Sequence, residues 1–109
     1  MEDVKFLFSK SELIPVIMQD ENTGRVLMLG YANEKALRLT IKTRTAWFWS
    51  RSREKLWNKG ETSGNFLHVS KILYDCDGDT LLFMCAPDGP TCHTGQESCF
   101  FSEIEIGGT

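Results

Sequence analysis

Residues 13–32 constrain the fold more than any other stretch of the chain. "LIPVIMQD" (13–20) and "RVLMLGYA" (25–32) are β-rich runs. They are joined by "ENTG" (21–24), whose Asn and Gly suit a tight turn, so the segment reads as a hairpin. "NEKALRLTIKT" (33–43) follows with helix formers, and Asn33 is placed to N-cap it. "TAWFWS" (45–50) is aromatic and β-prone, whereas 50–65 is rich in Ser, Gly and Asn and reads as a mostly irregular excursion. "FLHVSKILYD" and "TLLFMCA" read as two more strands with a "DGD" corner between or within them. "PDGPTCHTGQES" is a loop, and "CFFSEIEI" alternates well enough for a final strand. The expected class is mainly β, an α+β domain with about one to three helices.

A chain of 109 residues with 41% hydrophobic content fits one compact domain spanning 1–109 and a modest core. A domain this short buries a smaller share of its surface than a large one, so self-association would help it. The net charge of −3 gives no general attraction to nucleic acid or an anionic membrane. No apolar run approaches the roughly 20 residues that span a bilayer. The first residues, with acids at 2 and 3, do not resemble a signal peptide. The expected location is therefore the cytoplasm. In that reducing compartment Cys76, Cys85, Cys92 and Cys99 should be metal ligands, reactive thiols or core filler, not disulfides.

Charge is unevenly spread. Residues 44–61 hold Arg44, Arg51, Arg53, Lys55 and Lys59 against Glu54 and Glu61, and contain all three tryptophans. Ser50, Arg51, Ser52, Arg53, Lys59, Thr62, Ser63 and the backbone near Gly60 and Gly64 could bind phosphate. Trp47, Trp49 and Trp57 offer faces on which a base could stack. A solvated basic loop with core tryptophans explains the same residues, since Trp47 and Trp49 would share one strand face. This basic aromatic segment and the acidic "YDCDGD" segment look like two halves of one site.

In "DCDGD", an extended strand would put Asp75, Asp77 and Asp79 on one face and Cys76 on the other. The oxygen cluster suits magnesium and the sulfur suits zinc. Gly78 could bend the strand, and an acidic turn with Cys76 in the core is the competing reading. An EF-hand is excluded. Its loop needs Gly at position 6 and Glu at 12, where this sequence has Gly at 4 and Ala86 at 12.

"TCHTGQESC" adds Cys92, His93 and Cys99 on a Gly-containing loop, a zinc-like set. With Cys76 this gives three thiolates, the usual protein ligand count of a catalytic zinc with an open position. Cys85 lies in the apolar run "LLFMCAP" and reads as core. As a fourth ligand it would make the site structural, and the chain a zinc-binding module. Three thiolates on Zn²⁺ leave a net negative site that acidifies water less than three imidazoles would, so a base is needed. His93, beside Cys92, is the residue type suited to that role, or else donates a hydrogen bond to a thiolate. His68, in a strand-like run, reads as a partly exposed strand histidine. A single-strand RNA binder using the tryptophans and arginines is a third reading, opposed by the acidic remainder.

Together, "WFWSRSREKLWNKGETSGN", "DCDGD" and "GPTCHTGQESCF" closely resemble the phosphoribosyl-AMP cyclohydrolases of histidine biosynthesis. The likeness runs from about Leu13 through Phe101 in the family's order and spacing. It implies a zinc- and magnesium-dependent hydrolase that opens the adenine ring of N1-(5-phosphoribosyl)-AMP at the N1–C6 bond. Zinc would be held by Cys76, Cys92 and Cys99, and magnesium by Asp75, Asp77 and Asp79. The zinc site would be shared across an intertwined homodimer, with Cys76 from one chain and the other two cysteines from its partner. His93 would serve as the base, and Trp49, Ser50, Arg51, Ser52, Arg53, Trp57, Lys59, Thr62, Ser63 and Asn65 would contact substrate. Some relatives carry a fused pyrophosphohydrolase domain, and the expectation here is the cyclohydrolase activity alone.

Overall fold

The computed structural model describes residues 2–107. The expected hairpin forms: β1 (Ile14–Asp20) pairs antiparallel with β2 (Val26–Ala32). Its turn is held by the Asp20 carboxylate, which accepts from the Asn22 and Thr23 N–H groups at 2.8 and 3.4 Å. β5 (Leu67–Tyr74) and β6 (Leu81–Pro87) form a second antiparallel pair. β6 runs parallel to β1, giving a four-stranded sheet of order β2-β1-β6-β5.

Between the two hairpins lies α2 (Glu34–Thr43), capped as the sequence predicts: Asn33 Oδ1 accepts from Ala36 N–H at 2.9 Å. The helix ends at Arg44, whose left-handed φ of 61° lets its N–H reach the Thr40 carbonyl at 2.8 Å. β3 (Trp47–Ser50) follows.

The segment 50–65 is less irregular than its composition predicts. Lys55–Asn58 forms β4, paired antiparallel with β3 so that Phe48 faces Trp57 and Trp49 faces Leu56. The apolar pair Leu56–Trp57 rewards that pairing, and Glu54 takes a positive φ of 50° to close the turn. Two further expectations fail. Residues 99–106 form no strand, although Cys99 donates its N–H to the Leu27 carbonyl of β2 at 2.8 Å. Alternation alone does not make a strand without a continued ladder of backbone bonds, and Ile104 stays 89% exposed. The N-terminal residues, unassigned from sequence, form α1 (Glu2–Leu7), which buries Val4 and Leu7.

One sheet face is fully committed to the core. Ile14, Val16 and Met18 of β1 and Leu81, Phe83 and Cys85 of β6 are buried at alternate positions, under Leu37, Leu67 and Phe48. Phe48 stacks on Phe83 and tilts against Trp57, with centroids 6.5 and 5.3 Å apart. Phe48 is thus the aromatic core residue of β3, while Trp47 and Trp49 take the opposite, half-buried face. The other sheet face is also apolar. The registers line up Leu29, Ile17, Leu82 and Leu73 in one row across all four strands, with Leu29 44% and Leu73 41% exposed.

Candidate active site

The two metal-type motifs lie at opposite ends of the sheet. The turn 75–80 joins β5 to β6 at one end, and the loop 88–99 leaves β6 at the other. The seven residues of β6 put roughly 20 Å between them at about 3.3 Å per residue.

The aspartate cluster is real, but its geometry differs from the strand reading. β5 stops at Tyr74, and residues 75–80 form a turn with Gly78 at φ +69°. Asp75 Oδ1 accepts from the Asp79 and Thr80 N–H groups at 3.0 and 3.2 Å, folding the chain back. Folding, not alternation, brings one oxygen each from Asp75, Asp77 and Asp79 within 4.8 Å of one another. Phe6 of α1 lies over the turn. A Cβ at position 78 would come within 2.7 Å of its ring, so a side chain is excluded there by space as well as by φ. The backbone N–H of Asp79, above all, holds the Asp75 carboxyl below its ordinary pKa. Hydrogen bonding to Asp75 pushes Asp79 up. Two carboxyls that interact this closely suit a hard divalent cation, which would relieve the crowding that a proton otherwise relieves.

Cys76 is exposed on this turn, neither in the core nor near the other thiols. Cys92 and Cys99, by contrast, lie close enough across their loop to shift one another's ionisation. The Thr94 hydroxyl donates to Cys92 Sγ at 3.1 Å and, ahead of all other causes, draws the Cys92 pKa down. Partial desolvation, then the bond with Cys92, pushes Cys99 up. Two thiols prepared in this way fit part of a zinc site, whose Zn–S distances near 2.3 Å require its sulfurs to lie within about 5 Å of each other. Among the described residues of one chain, no third thiol, imidazole or carboxylate completes that cluster. Cys85 does not: it is fully buried on β6, and burial drives its thiol up to about 12.

The basic segment meets the cysteine loop, not the aspartates. Arg53, Trp57, Lys59, Thr62, Ser63 and Asn65 line a cleft of about 350 Å³ with Cys92 and His93 on its opposite wall. The joining contact is Asn65 Nδ2 donating to the Pro90 carbonyl at 3.3 Å. Gly60, at φ +101°, turns the chain so tightly that a Cβ would lie 2.6 Å from Phe66 N. Lys59 and Arg53 each lie 5.7 Å from the Trp57 ring centre. Trp49, Ser50, Arg51 and Ser52 line a neighbouring cleft of about 550 Å³, where Arg51 covers Tyr31 at 3.9 Å. Trp57 borders both clefts. His68 stands apart, its Nε2 2.9 Å from both Asp88 oxygens.

Sequence reading missed Thr94, Tyr31 and Phe6. Thr94 carried a local signal, a hydroxyl two residues after a cysteine. Tyr31 and Phe6 carried none, since their partners lie far along the chain.

A cleft combining cations, an aromatic face, an imidazole and a thiol pair is suited to an anionic, planar ligand and to hydrolytic chemistry. Comparison with known proteins agrees. The family model described as phosphoribosyl-AMP cyclohydrolase matches residues 28–101. A Clostridium botulinum protein named phosphoribosyl-AMP cyclohydrolase is 58% identical over 94 residues, 86% of each chain. One from Archaeoglobus fulgidus is 57% identical over 98 residues, 90% of this chain and 91% of its own. The histidine biosynthesis bifunctional protein HisIE of Staphylococcus epidermidis is 57% identical over 98 residues, 90% of this chain and 46% of its own. The chain belongs to the phosphoribosyl-AMP cyclohydrolase family, whose members are hydrolases.

Proposed function

We propose that this protein is a metal-dependent homodimer that hydrolyses the N1–C6 bond of the adenine ring in 1-(5-phosphoribosyl)-AMP. The product is the ring-opened phosphoribosylformimino-aminoimidazole carboxamide ribotide of histidine biosynthesis. The observation that carries this reading is the cleft where Cys92 and His93 face Arg53, Lys59, Thr62 and Ser63.

The donor sets support two metals. Zinc fits Cys92 and Cys99 together with Cys76 of the partner subunit, because the chain's own Cys76 lies at the far end of the sheet. The apolar row Leu29, Ile17, Leu82 and Leu73 favours such a partner, since burying it would remove exposed hydrophobic surface. Magnesium fits Asp75, Asp77 and Asp79. When bound, zinc supplies Lewis acidity that makes water a competent nucleophile near neutral pH.

The residues of the chain do the rest. Arg53, Lys59, Thr62 and Ser63 bind a phosphate, and Arg51, Ser50 and Ser52 in the adjoining cleft suit the second. Trp57, bordering both, offers its face to the base. His93 takes the proton of the attacking water as its oxygen bonds to C6. The tetrahedral carbon then collapses: C6–N1 breaks, the C6 hydroxyl becomes the carboxamide carbonyl as its proton leaves to solvent, and the proton held by His93 passes to the departing ring nitrogen. The attack on C6 resembles that of adenine deaminases, with a ring nitrogen leaving in place of ammonia.

The test is ultraviolet-monitored turnover of phosphoribosyl-AMP by the purified protein, with and without a zinc chelator. Chelator-sensitive ring opening is expected. Absence of turnover from folded, zinc- and magnesium-supplied protein would overturn the reading.

A further inference from the structure

Among the residues lining the cleft, Glu61 is the only carboxylate, standing among Arg53, Lys59 and His93. A ligand presenting phosphates alone would be repelled by it. Nor is Glu61 a passive surface acid. Its Oε1 accepts from Asn58 N–H at 3.2 Å, and its own N–H donates to the Asn58 carbonyl at 3.0 Å. These reciprocal bonds close the turn after β4 and hold the side chain beside the cleft, where it remains exposed.

A substituent on N1 of adenine changes the base in a way that such a carboxylate can read. The unit N1–C6–N6 becomes an amidine, basic enough to carry a positive charge with N–H donors on N6. Unsubstituted adenine is neutral and lacks that charge. Building on the function proposed above, we propose that Glu61 pairs with the cationic amidine of the N1-substituted adenine and so selects it over ordinary adenine nucleotides. The cations of the cleft then serve the phosphates, and the one carboxylate that this chain places in its lining serves the base. A charge-assisted hydrogen bond of this kind carries about tenfold or more in affinity.

The test is calorimetric binding of 1-methyl-AMP and AMP to the zinc-loaded protein and to its Glu61→Gln variant. Glutamine keeps an oxygen for the Asn58 N–H, so the turn is retained and only the charge is lost. The wild-type protein should bind 1-methyl-AMP about tenfold more tightly than AMP. Glu61→Gln should reduce that preference to within about threefold, with 1-methyl-AMP bound more weakly and AMP no more weakly than by the wild type. Equal affinities in the wild type, or a preference that survives Glu61→Gln, would overturn the proposal. Either result alongside wild-type turnover of phosphoribosyl-AMP leaves the functional reading standing. Loss of turnover and of binding by both nucleotides would remove the two together.

Discussion

The aspartate turn at 75–80 and the cysteine loop at 88–99 are both metal-type motifs, yet they differ in completeness. The turn converges three carboxylate oxygens within 4.8 Å with hydrogen bonds local to residues 75–80. The loop brings a thiol and a histidine against a basic cleft, with Cys99 nearby, while the exposed Cys76 lies a sheet's length away. A hard cation takes loosely arranged oxygens from one short segment, whereas zinc demands sulfurs in a tight tetrahedron. The difference teaches that closeness in sequence suffices to converge the aspartates, whereas under the proposed function a second chain is called for at the cysteine loop.

The sharpest way to break this comparison is complementation. Cys76→Ser and Cys92→Ser should each lose zinc and nearly all turnover. Mixed and reassembled, they should recover roughly a quarter of wild-type activity, because half of the dimers are hybrids with one intact site each. No recovery from dimers shown to exchange subunits would mean that the zinc site is not shared. Next in size, His93→Ala should lower kcat by about 10²–10⁴ with zinc content unchanged. Loss of zinc in that variant would make His93 a ligand and redraw the loop as the more complete site.

Asp79→Asn should weaken magnesium affinity by about 10–100-fold while leaving zinc in place, as measured by metal titration. Equal loss of both metals would show that the two metal sites are not independent. Cys85 should have the smallest effect on metal. Cys85→Val should keep zinc and activity, and in the native protein the Cys85 thiol should resist alkylation at pH 8. Its raised pKa also gives a sign for stability. The neutral thiol's contribution is fully present below the ordinary thiol value of 9.0 and is lost as pH rises toward about 12. Alkaline denaturation of Cys85→Val should therefore lack that component, worth up to about 4 kcal/mol.

Much of this architecture was legible before folding. The 13–32 hairpin, the Asn33 cap, both long strands and the buried Cys85 follow from alternation, turn chemistry and capping, which act over a few residues. β4 was hidden because its Ser- and Gly-rich flanks mask the short Leu56–Trp57 pair, whose partner strand alone stabilises it. The segment 99–106 shows the converse, an alternating run that forms no strand.

Residue type settles which groups can do chemistry: carboxylates for a hard cation, thiols for a soft one, arginine and lysine for phosphate. Those identities are intrinsic to each side chain and need no fold. Partnership is different, because it depends on contacts between residues far apart in the chain, which local preferences do not encode. Folding joined the basic segment to the cysteine loop through Asn65 and Pro90 and left the aspartate turn at the far end of β6. It also set Glu61 alone among cations. Sheet order and the length of one strand separated the two motifs that looked, in the sequence, like halves of a single site.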